Sequence, residues 1–157
     1  MTLKLIGAVL VAASALIATL SHGRFQRKRL QTLDGFIALI TYIKGRIDCY
    51  ALPLADILSS LSLEIFYACN CPEGALTLDE IVSKSRIYLD EESERLLDSF
   101  SVEFGSTFRE EQLRRCDYYI EALSEQRRRV ADEVRKKSRV GGALLICSSL
   151  GLLILLW

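Results

Sequence analysis

The sequence predicts an all-α protein, a helical bundle held between two terminal transmembrane helices. Both ends of the chain are apolar, and apolar residues in the middle recur at steps of three and four. The chain has 157 residues, of which 50% are hydrophobic and 25% are charged, with a mean hydropathy of +0.23. These values are compatible because every charged residue except Lys4 lies between Arg24 and Arg139.

Both apolar ends have the length and composition of membrane-spanning helices. Residues 3–20 carry one charge, and residues 140–157 carry none. Each stretch would extend about 27 Å as a helix, which is near the lower limit for crossing a bilayer core. We therefore predict a transmembrane helix at 1–21, a cytoplasmic helical domain at 22–139 and a second transmembrane helix at 140–157.

The first apolar stretch is also compatible with a cleavable signal peptide, because it has a short basic start and small residues such as Ala13, Ala15 and Ala18. The basic residues that follow it favour an uncleaved helix, since positive charge resists translocation. A second basic group precedes the other apolar stretch, and both groups place the central domain in the cytoplasm. The two groups consist of Arg24, Arg27, Lys28, Arg29, Arg135, Lys136, Lys137 and Arg139.

Helical periodicity also dominates the first half of the central domain. It predicts an amphipathic helix from Arg24 to about Tyr50, a second helix that starts at Pro53, and a turn over residues 69–75. No stretch alternates with the period of a strand. The predicted buried positions of these two helices are Leu30, Leu33, Phe36, Ile37, Ile40, Ile43, Ile47, Leu54, Ile57, Leu58, Leu61 and Ile65.

Two shorter helices are predicted next. Thr77 and Glu80 have the spacing of a capping box, in which the threonine caps the helix and the glutamate reaches back to its amide, so a short helix should run to Arg86. Residues 90–103 form the following helix, which Gly105 ends. Its apolar side consists of Leu96, Leu97, Phe100 and Phe104.

The last segment predicts one long helix that continues into the second membrane span. Residues 107–157 contain no proline, and no glycine before Gly141. Arg127 occupies one position where the three-four rhythm expects an apolar residue. The rhythm favours packing along neighbouring helices of the same chain, since two or three heptads are too few for a stand-alone coiled coil. The residues that carry it are Leu113, Cys116, Ile120, Leu123, Val130 and Val134.

Residue types that carry catalysis or bind metals are scarce or isolated. A single histidine, His22, excludes a multi-histidine metal site within the chain, and the carboxylates cluster at helix starts, where they stabilise the helix dipole. No phosphate-binding loop or nucleophile elbow is present. The five cysteines lack zinc-site spacing, so we interpret them as reduced small hydrophobes. We predict no enzymatic activity, no cofactor and no metal.

The basic residues between 127 and 139 are the one group that suggests nucleic acid. Asp132 and Glu133 interrupt the run, and it contains no aromatic residues for base stacking. Its position beside an apolar stretch favours contact with anionic lipid headgroups instead. One interpretation of function is therefore a membrane-embedded regulatory or lipid-binding adaptor.

A second interpretation comes from the order of segments. It runs from the opening LKLIGAVL at residues 3–10, through the first cytoplasmic helix into Pro53 and Leu54, to the Phe104-Gly105 step. A long charged helix then closes in the apolar tail GLLILL. In this order the whole chain resembles the stage III sporulation protein AB family.

The resemblance implies a two-pass membrane protein of endospore-forming bacteria, located in the outer forespore membrane with its central domain in the mother-cell cytoplasm. It implies a soluble part similar to the cytoplasmic domain of type II secretion F proteins, a helical bundle that acts as an assembly platform. The expected function is a non-enzymatic platform of a secretion-like channel between mother cell and forespore. Expected partners are membrane lipids, other channel components and a secretion-type ATPase, with self-association left open and no nucleic acid.

The predicted partner-binding surface lies where the last two helices of the central domain meet. Glycine there is expected to end one helix in a left-handed conformation and to set the angle of the next. Glu110 with Arg114, and Glu111 with Arg115, stand one turn apart and can pair within the helix, worth about 0.2–0.5 kcal/mol each. Alternatively, these charges bind the ATPase. The candidate residues are Gly105, Arg109, Glu110, Glu111, Arg114 and Arg115.

Overall fold

The computed structural model describes the backbone of residues 2–50, 54–72, 75, 77–104 and 108–156. Side chains are described for fewer residues. Those of the terminal stretches 2–20 (apart from Ser14) and 137–156 lie outside the description, as do those of His22, Tyr50, Leu54 and Ala55.

The described residues form six α-helices and a single 3-10 turn, and none of them lies in a β-strand. The all-α prediction is therefore confirmed for this part of the chain. The elements are α1 (Thr2–Tyr50), α2 (Leu54–Ser59), α3 (Leu63–Ala68), α4 (Leu78–Ser85), the 3-10 turn (Arg86–Tyr88), α5 (Glu91–Glu103) and α6 (Arg109–Leu156).

The chain divides into two compact units. One unit consists of residues 28–130 and contains α2 to α5 together with the adjoining parts of α1 and α6. The other unit consists of residues 1–27 and 131–157. The core and the candidate site described below belong to the unit of residues 28–130.

In the described part of the chain, no helix combines the length and the apolar character that a membrane crossing requires. The two transmembrane helices predicted at 1–21 and 140–157 fall on stretches whose backbone is helical at residues 2–21 and 140–156. Nearly all side chains of these stretches lie outside the description, so the two spans stay a prediction.

The buried face of α1 follows the predicted three-four rhythm. Leu33, Phe36, Ile40, Ile43 and Ile47 are all at most 5% exposed. This confirms the amphipathic assignment, because one apolar stripe faces the core and the opposite stripe faces solvent. The neighbouring positions Leu30 and Ile37, also predicted as buried, are half-buried instead.

The single helix predicted after Pro53 is wrong, since the structure contains two short helices there. Serine side chains explain the break: the hydroxyl of Ser59 donates to the carbonyl of Asp56 (2.8 Å) and that of Ser60 donates to the carbonyl of Ile57 (2.9 Å). Such local bonds compete with helix continuation. Ser62 then takes an extended conformation as the residue before α3.

The turn predicted at 69–75 begins as a Schellman motif. Asn70 adopts a left-handed conformation with φ of 56°, which asparagine tolerates better than most residues. The amide of Cys71 donates to the carbonyl of Phe66 (2.8 Å) and that of Asn70 donates to the carbonyl of Tyr67 (3.1 Å), the two bonds that define the motif. Cys69 and Cys71 are both buried on either side of it.

Helices α4 and α5 begin close to where the sequence predicts. The hydroxyl of Thr77 accepts a hydrogen bond from the amide of Glu80 (3.3 Å), which confirms the threonine cap, and the Glu80 carboxylate pairs with Lys84 (3.0 Å). Ahead of α5, the carboxylate of Asp90 accepts a hydrogen bond from the hydroxyl of Ser93 (2.6 Å). Of the predicted apolar side, Leu97 and Phe100 are buried, whereas Leu96 and Phe104 are half-buried.

Within residues 28–130, α6 packs antiparallel to α1 along a seam closed by three cross-helix ion pairs. As residue numbers rise along α1 they fall along α6, and the pairs join the two helices at three levels. Packing within the chain is therefore confirmed for α6, and Arg127 stands in an apolar slot because its partner Asp34 lies opposite. The pairs are Asp34 with Arg127, Lys44 with Asp117, and Asp48 with Arg109.

Candidate functional site

A groove lies between α5 and α6 in the unit of residues 28–130. Its volume is about 510 Å³, and both helices contribute its walls. Its lining combines charged, aromatic and apolar side chains. The residues that line it are Leu96, Ser99, Glu103, Glu111, Arg114, Arg115, Tyr118 and Tyr119.

Arg115 links the two helices that form the groove. Its Nη1 lies 3.1 Å from Oε2 of Glu103 on α5, and its Nε lies 3.3 Å from Oε1 of Glu111 on α6. The side chain is only 30% exposed. Arg115 therefore joins the last turn of α5 to the second turn of α6 and holds the two groove walls at a set separation.

Tyr119 forms a second contact with the carboxylate of Glu103. Its hydroxyl donates to Oε2 of Glu103 (3.1 Å), and the residue is 4% exposed. Burial, together with the hydrogen bond to Glu103, raises the pKa of Tyr119 to about 12. The phenol therefore keeps its proton near neutral pH and acts as a permanent donor to Glu103.

An aromatic cluster includes Tyr119 and Tyr118 of the groove lining. The ring of Phe100 lies 5.1 Å from that of Tyr119 in an edge-on arrangement and 5.1 Å from that of Phe104. Such tilted pairs are favourable contacts between aromatic rings. Tyr118 lies edge-on to Tyr119, and it is 61% exposed.

Arg114 is the accessible cation of the groove. Its side chain is 78% exposed, and its ion pair with Glu111 (3.0 Å) is made within one helical turn. Such a pair contributes only about 0.2–0.5 kcal/mol. A carboxylate of a partner could therefore displace Glu111 from Arg114 at little cost.

The six predicted partner-binding residues do not form one cluster. Glu111, Arg114 and Arg115 line the groove, whereas Arg109 turns towards α1 and bonds both the carbonyl and the carboxylate of Asp48. Glu110 is exposed and is not among the lining residues. Gly105 lies outside the described residues.

One of the two predicted pairs within α6 is confirmed and the other is wrong. Glu111 pairs with Arg115, as predicted from their four-residue spacing. Arg114 pairs with Glu111 three residues away rather than with Glu110. Glu111 therefore sits between two arginines, which concentrates charge on the wall of the groove and leaves Glu110 facing solvent.

Sequence reasoning missed the α5 side of the groove and the tyrosines. Glu103 appears in the sequence only as the end of a helix, and its contact with Arg115 depends on how α5 and α6 pack. Tyr118 and Tyr119 follow Arg114 and Arg115 by four residues, so helical spacing alone could have placed them beside the arginines. Leu96 and Ser99 carry no such signal.

Of the cysteines whose side chains the structure describes, Cys69, Cys71 and Cys116 are buried in the core, whereas Cys49 is exposed. Burial raises the pKa of Cys69 to about 12 and that of Cys116 to about 11. Both thiols therefore stay protonated near neutral pH, which disfavours the thiolate form needed for metal binding or nucleophilic attack. Among the residues that the structure describes, no group of three or more metal-binding side chains comes together. Cys147 lies outside the described side chains.

Comparison with known proteins identifies the family of the chain. The family model for stage III sporulation protein AB matches residues 77–157, which is just over half of the chain and includes α4, α5, α6 and every residue that lines the groove. No curated protein and no solved structure shows a significant match. The chain belongs to the stage III sporulation protein AB family, which gives it a role in sporulation.

Proposed function

We propose that this chain is a non-enzymatic membrane platform of a secretion-like channel apparatus, and that it positions a cytoplasmic secretion-type ATPase at the α5–α6 groove. The groove itself is the observation that carries the proposal. It lies wholly within the residues matched to the family, and it presents an exposed arginine and an exposed tyrosine. Arginine and tyrosine are among the side chains enriched where protein interfaces derive their binding energy.

The proposal includes a place for the chain in the cell. The apolar ends would anchor it in the outer forespore membrane, and the central residues would face the mother-cell cytoplasm. The basic groups at 24–29 and 135–139 support this orientation, because positive charge resists translocation. The proposal also includes a soluble part similar to the type II secretion F domain. Lipids and other channel components would complete the set of partners.

In the proposed mechanism the groove binds by exchanging ion pairs. A carboxylate of the ATPase takes the place of Glu111 beside Arg114, while an apolar or aromatic side chain packs on Tyr118. Arg115 keeps its bonds to Glu103 and Glu111 and so preserves the shape of the site. Arg114 is therefore a binding residue, and Arg115 is a positioning residue.

The test is the charge reversal Arg114→Glu, with Arg95→Glu as its matched control. The two arginines are equally exposed, at 78% and 76%, and each pairs with a glutamate within its own helix, but Arg95 does not line the groove. We expect Arg114→Glu to weaken co-purification of the candidate ATPase about tenfold, equivalent to about 1.4 kcal/mol. Arg95→Glu should leave it unchanged.

Arg115 is unsuitable for this test. Reversing its charge would bring three carboxylates together where two are now neutralised, so lost binding could reflect a collapsed groove. Circular dichroism and membrane fractionation should show that the Arg114→Glu chain folds and inserts normally. Full recruitment by that variant would exclude the groove as the ATPase site.

A further inference from the structure

Helix α3 exposes two large apolar side chains on one side. Leu63 is 66% exposed and Tyr67 is 59% exposed, and residues four apart on a helix lie on the same side. Phe66, three residues after Leu63, is buried, and α3 approaches α1 so closely that a Cβ on Gly35 would lie 2.7 Å from the backbone of Ala68. The exposed pair is therefore presented by a firmly seated helix.

This pair is unusual among the exposed large apolar side chains of the described residues. The others lie singly on their elements: Phe25 on α1, Ile87 on the 3-10 turn, Val102 on α5, Phe108 before α6 and Tyr118 on α6. Single exposed apolar residues are common on protein surfaces, whereas adjacent ones point to a contact. Neither Leu63 nor Tyr67 lines the α5–α6 groove.

The stretch of sequence that contains α3 is acidic. Between Arg46 and Lys84 the sequence contains no basic residue but contains six acidic ones: Asp48, Asp56, Glu64, Glu73, Asp79 and Glu80. Asp48 and Glu80 are neutralised by Arg109 and Lys84. Asp56 on α2 and Glu64 on α3 are exposed and form no ion pair within the described part of the chain.

We propose that Leu63, Glu64 and Tyr67 form a docking surface for a basic amphipathic segment of a partner protein, distinct from the ATPase groove. The apolar pair receives the apolar side of that segment, and the carboxylates receive its lysines or arginines. Complementary charge selects a cationic partner and repels an anionic lipid surface, which would meet carboxylates here. The apolar contact supplies most of the affinity, since exposed ion pairs contribute little.

Site-specific photo-cross-linking on the full chain tests this proposal. The photoreactive residue p-benzoylphenylalanine replaces Tyr67 in one protein and Ile87 in the control, since Ile87 is also exposed, at 70%, but stands alone. The probe is a biotinylated amphipathic helix of lysine and leucine, and a glutamate–leucine peptide of the same pattern is the control probe. Position 67 should capture the lysine–leucine peptide about tenfold better than position 87 does, the ratio expected for burying one large apolar side chain.

Two substitutions separate the apolar and electrostatic contributions. Leu63→Ser in the Tyr67 cross-linking protein should raise the peptide concentration for half-maximal capture about tenfold. Glu64→Lys should raise it about threefold and reduce its dependence on salt. Both sites are exposed, so circular dichroism should remain unchanged. Equal capture at positions 67 and 87, equal capture of the glutamate–leucine peptide, or a cross-link between two copies of the chain in place of the peptide would each overturn the proposal.

Discussion

The seam between α1 and α6 and the groove between α5 and α6 use arginine and carboxylates in different ways. On the seam, Arg127 binds Asp34 across 93 residues of sequence, with Nε to Oδ1 at 2.8 Å and Nη2 to Oδ2 at 3.2 Å. In the groove, Arg114 binds Glu111 one turn away in its own helix. The first pair joins two helices. The second pair joins two residues of one helix, whose positions the helix backbone already sets.

The difference between cross-helix pairs and pairs within one helix indicates which charged side chains a partner protein can bind. Breaking a cross-helix pair loosens the packing of α1 on α6, so those charges are already committed to the fold. Breaking the pair within α6 costs only the local interaction, about 0.2–0.5 kcal/mol. Arg115 combines both roles, because it pairs with Glu111 in its own helix and with Glu103 on α5. The four predictions below test this division, from the largest expected effect to the smallest.

The largest effect should come from placing a charge in the core beneath the seam. Ile40 is fully buried on α1, so Ile40→Asp should unfold the unit of residues 28–130 by burying an unpaired carboxylate. Ala38→Asp, at an exposed position of the same helix, is the control and should fold normally. Far-UV circular dichroism of the purified chain measures the result. A folded Ile40→Asp chain would mean that this face of α1 is not the core.

Two glycines of α1 should respond to the same substitution with opposite signs. At Gly35 a Cβ would lie 2.7 Å from the backbone of Ala68, so Gly35→Ala should lower the free energy of unfolding by about 1–3 kcal/mol. At Gly45 a Cβ meets nothing within 4 Å, so Gly45→Ala should raise it by about 0.5–1 kcal/mol through helix propensity. Urea unfolding measures both. Equal changes would contradict the close crossing of α1 and α3.

Double-mutant cycles compare the seam and the groove directly. The coupling energy between Asp34 and Arg127 should reach about 1 kcal/mol, because the pair is bidentate and joins two helices. The coupling between Glu111 and Arg114 should be about 0.3 kcal/mol, since the pair is exposed and local. Alanine substitutions and urea unfolding give both values. If the Glu111–Arg114 coupling were larger than the Asp34–Arg127 coupling, the groove pair would be the structural one and the seam pair the one available to a partner.

A small gain in stability is expected at Thr32 on α1. This residue is fully buried, and its hydroxyl has no hydrogen-bond partner among the described residues. Replacing it with the isosteric valine removes the cost of burying that hydroxyl, so Thr32→Val should raise the free energy of unfolding by up to about 1 kcal/mol. The same urea experiment detects it. A clear loss of stability would show that the hydroxyl is hydrogen-bonded after all.

Much of the fold could be predicted because its signals are local. The apolar face of α1, the threonine cap of α4 and the lack of strands among the described residues all depend on residues within a turn or two of one another. The boundary between α2 and α3 was missed because an apolar period continues across Ser59 and Ser60, whose hydroxyls bond the preceding carbonyls. Periodicity reports which face is apolar, and it does not report where side chains interrupt the backbone.

The candidate site was predictable only on its α6 side. The run of charges from Arg109 to Arg115 is visible in the sequence, and three of the six candidate residues line the groove. Arg109 was grouped with them because it is adjacent in sequence, yet it reaches Asp48 at the end of α1. Glu103 was missed because a helix-terminal glutamate is ordinary until another helix is packed beside it.

The sequence by itself determined the helical class, the buried stripe of α1 and the separation of apolar ends from a charged middle, since each follows from local composition and spacing. Only the tertiary structure decided which charges close the fold and which remain exposed. Arg127 looks like a flaw in an apolar rhythm until Asp34 is placed opposite it, and Arg114 and Arg115 look equivalent until Glu103 approaches one of them. The physical reason is that an ion pair needs its partner within a few ångströms, and the distance between residues far apart in sequence is set by packing alone.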